Sequence, residues 1–410
     1  MVKSLLPKCG FFARIAADDP AANRLLRVIP ARASPTAVEL VLGAHRALID
    51  TRGASALALE AATAAMAPAT RAAITADLKC FLAWCARRHP PVQAVPAAPE
   101  TLVHYLRWLA SGSPGRSPAR PATLARRIAS IARIHRVLGF GESEPLPTQA
   151  GMVRDTLKAI RRQSQERQRQ AAPLRLGAAM AEGQAAPEGV TVEALLAACG
   201  SDILDLRDAA LISLAYDAGL RVSELVAVQV GDLTAHEDGS GRLVIPRSKT
   251  DQEGEGALAW ISPETMRRLA AWLCAADIAG GAVLRRVHLL PERPGDAEER
   301  GARHTIGDKP LTRQGVVAIL RRRARAAIAQ GHAAIDPDRA EAAIRALSAH
   351  SFRVGLTQDL FAAGEDGAGI ALALRWSSPG TALHYARELA VGSNAAARVL
   401  GRMRGAVKAG

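Results

Sequence analysis

The chain has 410 residues, enough for two domains with separate cores, and 49% hydrophobic content beside charges of both signs places it among soluble globular proteins. A formal net charge of +14, from 53 basic and 39 acidic side chains, favours a polyanionic partner. Five scattered cysteines (Cys9, Cys80, Cys85, Cys199, Cys274) argue against a disulfide framework or zinc site, and no apolar stretch has the length of a signal peptide or membrane span. A cytoplasmic, nucleoid-associated protein is expected.

In chain order, residues 1–55 read as an extension of uncertain structure, with one short helix around 36–49. Helical periodicity then sharpens. Ile74, Leu78, Phe81, Leu82 and Cys85 recur on one stripe, with Lys79 off it, and His89-Pro90-Pro91 ends the segment. A second helix follows Pro99, a third spans 122–138 with Leu124, Ile128, Ile131, His135 and Leu138 on one side, and a fourth spans 150–162. No strand pattern interrupts them, which describes a small helical bundle. Between residues 116 and 169, twelve basic residues stand against four acidic ones, so much of the positive charge belongs to this bundle.

Residues 166–190 have linker composition, polar and rich in Ala, Gly and Pro. A second domain follows. Helices are expected at 191–199, 205–217 and 222–228. Strands at 243–246 and 257–261 flank a polar turn that carries Lys249. Helices return at 263–276 and 312–329 and run nearly without break from 340 onward, while 291–308 reads as a loop.

Chemistry concentrates in five short stretches of this second half: Arg221 in AYDAGLRVSEL, Lys249 in IPRSKTD, His350 and Arg353 in AHSFRVG, Trp376 in LRWSSPG, and Tyr385 in ALHYARE. A phosphodiester under attack gains negative charge on its non-bridging oxygens, which arginine matches with paired, permanently charged donors. Each residue also has a plainer reading. An isolated tyrosine or tryptophan is more often core packing, and a phenol of pKa ~10 is a poor nucleophile without cations beside it. His350 and Arg353 stand three residues apart, so both can face one phosphate or form an ordinary surface pair. Arg221 lies at a helix start, where backbone N–H groups also favour an anion. Glu224 can brace Arg221 or His350, or simply form an intrahelical ion pair. Lys249 is more telling: the chain has seven lysines, and this is the only one between Lys158 and Lys309. A leaving oxygen needs a proton, which lysine can donate and arginine cannot at useful cost.

Taken in order, LAYDAGLRVSEL, RSKT, AHSFRVG and RWSSPGTALHYARELA resemble the tyrosine recombinase (phage integrase) family over about residues 60–405. Within it they resemble a Cre-like branch, with Trp376 where most members carry histidine. The resemblance implies a mainly α fold, in which a four- or five-helix core-binding bundle (56–165) and a linker (166–190) precede a larger, mostly helical catalytic domain with a small antiparallel sheet (191–410). It implies that Tyr385 attacks the scissile phosphate to form a 3′-phosphotyrosine bond. Arg221 and Arg353 would hold the non-bridging oxygens, His350 and Trp376 assist at the phosphate, Lys249 protonate the 5′ oxygen and Glu224 order the site. No metal or other cofactor is expected. The implied partner is double-stranded DNA with inverted-repeat sites, bound by a homo-tetramer on synapsed DNA that is a monomer in free solution, with no membrane involved. A helix at 392–404 would dock into a neighbouring protomer. Arg126, Arg127 and Arg133, with Lys79 and Arg313, are the candidate DNA contacts. Two other readings share the scaffold: a type IB topoisomerase that relaxes supercoils, and a non-catalytic DNA-binding protein.

Overall fold

The computed structural model describes residues 36–50, 56–113, 115–164, 170–180, 185–246, 256–290 and 304–385. The chain divides into a helical unit, Leu25–Arg169, and a second compact unit that contains Gln170–Gly410.

Within the helical unit the elements are α1 (Ala37–Ala44), α2 (Ala56–Ala64), α3 (Pro68–Ala86), α4 (Pro99–Ser111), α5 (Pro121–Val137) and α6 (Gly151–Gln163). Prolines begin α3, α4 and α5, where the ring's fixed φ suits the first turn and its missing N–H costs nothing. The expected stripe of Ile74, Leu78, Phe81, Leu82 and Cys85 is buried, joined by Leu102, Tyr105, Leu106 and Leu109 of α4 and Leu124, Ile128 and Ile131 of α5. Each such fully buried side chain contributes about 1.5–3 kcal/mol. The residues around 36–49, expected as part of an uncertain extension, supply α1, and Val38, Val41, Leu42 and Ile49 are buried in this same core.

One polar knot sits inside the bundle. Asp77 is buried on α3 and accepts from Arg126 and, at 2.8 Å, from the Ser130 hydroxyl of α5. His135 is fully buried as well. Its Nδ1 lies 2.8 Å from the Ile131 carbonyl and its Nε2 accepts the Ala97 N–H at 3.0 Å. Those partners specify the neutral imidazole with its proton on Nδ1. Burial lowers the pKa of His135 in the same direction.

The second unit contains α7 (Val192–Ala197), α8 (Ile203–Asp217), α9 (Val222–Leu225), β1 (Leu233–Ala235), β2 (Gly241–Ile245), β3 (Ala257–Ile261), α10 (Pro263–Ala275), β4 (Arg285–Leu289), β5 (His304–Pro310), α11 (Arg313–Ala329), α12 (Pro337–Ala346), α13 (Ser351–Ala362), α14 (Gly367–Ala373) and α15 (Pro379–Tyr385). The side chains of Thr191, Ser262, Thr312 and Asp366 cap α7, α10, α11 and α14 by accepting first-turn N–H groups. The fold is mostly helical, with a three-stranded antiparallel sheet in the order β1-β2-β3 and a two-stranded one of β4 and β5. Leu233, Leu243, Ile245, Ala259 and Ile261 put one face of the larger sheet into the core, beside Leu269, Trp272 and Leu273 of α10. Residues 247–255, between β2 and β3, include Lys249 and lie outside the described residues.

Three local expectations need correction. Part of the stretch expected as a loop at 291–308 is strand: β5 pairs antiparallel with β4, and Val287 opposite Ile306 packs on the core. Charged and glycine-bearing composition hid this two-residue apolar anchor. The nearly continuous helix expected beyond 340 is divided, within the described residues, at Leu347–His350, Ala363–Asp366 and Leu374–Ser378. Part of the expected linker is core: Leu174 is fully buried, its N–H donates to the Ser351 carbonyl, and the Val192 and Glu193 N–H groups donate to Arg175 and Leu176. Asp359 secures the same stretch, accepting from Arg175 Nε at 2.6 Å, the Leu176 N–H at 2.7 Å and the Tyr216 hydroxyl at 2.6 Å.

Candidate active site

Four short segments of the second unit bring the candidate groups together. Gly219, with φ +51, turns the chain sharply after α8, and a Cβ there would lie 2.3 Å from a Leu374 methyl. The turn delivers Arg221 to the cap position of α9, where Glu224 reaches back in two ways. Its carboxylate accepts the Arg221 N–H at 2.9 Å and the guanidinium at 2.7 Å. Glu224 is buried while Arg221 keeps a fifth of its side chain exposed. Of the partners open to Glu224, the geometry pairs it with Arg221 rather than His350.

His350 caps the start of α13 and Arg353 occupies its first turn. Arg353 is only 1% exposed. It donates to the Gly219 carbonyl and the Leu374 carbonyl, each at 2.6 Å, and its Nε–H has no acceptor among the described residues. Its guanidinium stands 5.1 Å from the Trp376 ring centre. Trp376 stacks on Tyr385 at 5.3 Å with planes 19° apart, and His350 meets the same phenol edge-on at 5.4 Å. His350 Nε2 lies 2.9 Å from the Tyr385 hydroxyl.

The electrostatics follow from crowding cations around one carboxylate. Burial, reinforced by Arg221 and Arg375, pulls the Arg353 pKa down to about 9. That guanidinium remains charged at neutral pH, with the Glu224 carboxylate only partly offsetting the burial and the neighbouring cations. Burial, then Arg353 and Arg221, also hold His350 below its ordinary value, which favours the neutral imidazole. With the proton on Nδ1, Nε2 is free to accept the phenol proton. The cluster is thus fitted to hold a dianionic, phosphoryl-like charge and to deprotonate a phenol beside it.

Of the seven candidate catalytic positions, Arg221, Glu224, His350, Arg353, Trp376 and Tyr385 share this site, and Lys249 falls outside the described residues. Sequence reading missed Arg375. Its guanidinium is 8% exposed, lies 3.8 Å from Glu224 and donates to the Ala218 carbonyl at 2.9 Å. The only available signal was its place directly before Trp376.

The candidate DNA contacts divide. Lys79 and Arg133 of the helical unit and Arg313 of the second unit are exposed. Arg126 is half exposed but paired to Asp77. Arg127 turns inward, donating to Tyr105 Oη at 3.0 Å and Cys80 Sγ at 2.7 Å. Among the described residues no helix is long and apolar enough to cross a membrane.

The phage integrase family model matches residues 188–390, just under half of the chain. An integrase/recombinase XerD homolog from Selenomonas ruminantium is 32% identical over 230 residues, 53% of this chain and 59% of the relative's own length. Among solved structures, the XerH site-specific recombinase bound to difH substrate in a pre-cleavage complex aligns over 87% of this chain and 96% of its own, at 14% identity and a TM-score of 0.49. The Tn1549 transposon integrase in complex with transposon right end DNA aligns over 86% and 94%, at 11% identity and a TM-score of 0.49.

Proposed function

We propose that this chain is a site-specific DNA recombinase that cuts and rejoins double-stranded DNA through a phosphotyrosine at Tyr385. The observation that carries the reading is the 2.9 Å contact of His350 Nε2 with the Tyr385 hydroxyl, in a site that also gathers the guanidinium groups of Arg221, Arg353 and Arg375. In this reading His350 takes the phenol proton as the Tyr385 oxygen bonds to the scissile phosphorus. The P–O bond to the 5′ oxygen breaks, and Lys249 supplies the proton for that leaving oxygen. Arg221, braced by Glu224, and Arg353 neutralise the non-bridging oxygens, where preorganised charge acts most strongly. Trp376 orients the phenol by stacking and offers its indole N–H. The phosphotyrosine keeps the energy of the ester, so a 5′ hydroxyl from another duplex can reverse the step. Two rounds then exchange strands through a four-way junction.

Further parts of the reading rest on the match to the phage integrase family model. The DNA carries inverted repeats, four protomers act on synapsed sites, and the segment 392–404, outside the described residues, docks between them. Trp376 in place of the usual histidine supports a Cre-like branch. The basic helical unit and exposed Lys79, Arg133 and Arg313 support DNA contact from both units.

The test uses a nicked duplex, selected by the wild-type protein from a randomised pool, whose short 5′ fragment diffuses away after cleavage and traps the intermediate. Wild-type protein is expected to form a denaturation-resistant protein–DNA adduct that Tyr385→Phe does not form, with DNA binding retained. An adduct that persists in Tyr385→Phe contradicts the assignment.

A further inference from the structure

We infer that Arg375 is a positioning residue: it pins the Trp376 segment to the Gly219–Glu224 turn and thereby sets the mutual geometry of Trp376, Arg221 and Arg353. This rests on the recombinase reading above.

The backbone gives the first reason. Arg375 has φ +56, and the only other non-glycine residue with positive φ among those described is Asp277. That left-handed region crowds Cβ against the backbone; glycine enters it freely, Asn and Asp tolerate it, and long side chains rarely do. Glycine would meet the turn here without strain. An arginine held in it has a conformation that its surroundings must impose.

The side chain gives the second. It is folded inward, 8% exposed, and spans two segments far apart in sequence. One terminal nitrogen donates to the Ala218 carbonyl at 2.9 Å and to the Gly219 carbonyl at 3.3 Å. The Gly219 carbonyl is also the acceptor for Arg353, whose other terminal nitrogen holds the Leu374 carbonyl, one residue before Arg375. The two arginines therefore hold the same turn, through the shared Gly219 carbonyl. Glu224, the brace of Arg221, lies 3.8 Å from the Arg375 guanidinium.

The third reason is that stability alone does not account for the arrangement. Burial opposes the charged form of Arg375, Glu224 offsets this only in part, the nearby Arg221 adds to the opposition, and its Nε–H has no acceptor among the described residues. A strained backbone and a buried, incompletely matched charge both weigh against the folded state. What they supply is a rigid link among three site segments, the kind of outer support that keeps reacting groups within a fraction of an ångström.

The experiment uses the full chain and the nicked duplex described above. Arg375→Gly removes the guanidinium while suiting the backbone, and Arg375→Lys keeps one charged donor. Melting temperature, duplex affinity and single-turnover adduct rate are measured for each, alone and combined with Glu224→Gln. Arg375→Gly is expected to keep or raise the melting temperature, keep affinity within about threefold and slow adduct formation about tenfold or more. Arg375→Lys should recover part of that rate. In the Glu224→Gln background the further loss from Arg375→Gly should shrink, because the two residues act through Arg221 together.

A wild-type adduct rate in Arg375→Gly overturns the proposal. So do losses that multiply fully with Glu224→Gln, or a rate loss matched by equal losses of affinity and melting temperature. If Arg375→Gly does not fold, Arg375→Lys decides: a slowed rate at near wild-type melting temperature and affinity supports the proposal, and an unchanged rate rejects it. Absence of a Tyr385-dependent adduct in the wild type is a different failure, since it removes the underlying reading.

Discussion

His350 Nε2 sits 2.9 Å from the Tyr385 hydroxyl while Trp376 lies nearly parallel to the phenol ring. An imidazole edge-on to the ring and an indole against its face hold the phenol in place. The arrangement draws on the start of α13, the turn after α14 and α15, so it depends on tertiary packing rather than on any one segment.

The first prediction concerns pH. Burial and two neighbouring guanidinium groups lower the His350 pKa. The neutral, proton-accepting form therefore persists below the ordinary histidine value of about 6.5. Single-turnover adduct formation should hold constant as pH falls through 6.5, the ordinary value, and decline only in more acidic buffer. An acid limb centred above that value contradicts the role of His350 as base.

The second concerns Glu224. Its buried carboxylate accepts both the backbone N–H and the guanidinium of Arg221. A charge-assisted bond of this kind is worth about 1.5–3 kcal/mol. Glu224→Gln should slow adduct formation about tenfold to a hundredfold with little change in DNA affinity. Loss of affinity equal to the loss of rate would assign Glu224 to binding instead.

How much of this was legible beforehand varies with the kind of feature. The bundle stripe from Ile74 to Cys85 and the strands either side of Lys249 were readable, because helix and strand periodicities mark them locally. The site residues could be named because rare residue types stand at matching spacings, but their convergence could not be derived from any local rule. Arg375 escaped notice because nothing in Ala-Leu-Arg-Trp marks a left-handed turn, and its side-chain partners, the Ala218 and Gly219 carbonyls, lie far away in sequence. The strand at His304–Pro310 escaped because its burial rests on Ile306 facing Val287, a pairing with no trace in composition.

The third prediction separates two arginines on α5. Arg127 bonds Tyr105 and Cys80 within the bundle, whereas Arg133 is exposed. Arg127→Ala should destabilise the helical unit by about 1–3 kcal/mol and leave the salt dependence of DNA binding unchanged. Arg133→Ala should leave stability alone, weaken binding to all duplexes and reduce the salt slope by about one. Calorimetry and binding titrations over a range of salt check both, and the reverse pattern would exchange their roles.

The fourth uses His135 as a titration marker for the helical unit. The folded state holds it neutral between Ile131 and Ala97, with its pKa lowered by burial. In the unfolded chain it binds a proton near the ordinary value of about 6.5. Below that value the unfolded state binds more protons than the folded one, so stability falls as pH drops through 6.5 toward the lowered pKa, and it is fully present above. Denaturant unfolding at a series of pH values should show this slope, and His135→Gln should flatten it. An unchanged slope in that variant contradicts the assignment.

The fifth is steric. A Cβ on Gly355 would lie 1.8 Å from the Leu174 carbonyl oxygen, and α13 carries Gly355 two residues after Arg353. Gly355→Ala must displace the 170–176 stretch or the helix, at a cost of about 1–3 kcal/mol or more. A melting temperature equal to wild type would contradict the close approach.

The central claim, that Tyr385 is the residue joined to DNA, is tested most directly by mapping the trapped adduct. After nuclease trimming and trypsin digestion, the peptide from Trp376 to Arg387 should carry the mass of a nucleotide joined by its 3′ phosphate, with fragmentation placing it on Tyr385. The same modification found on a serine, a histidine or any other peptide would contradict the account.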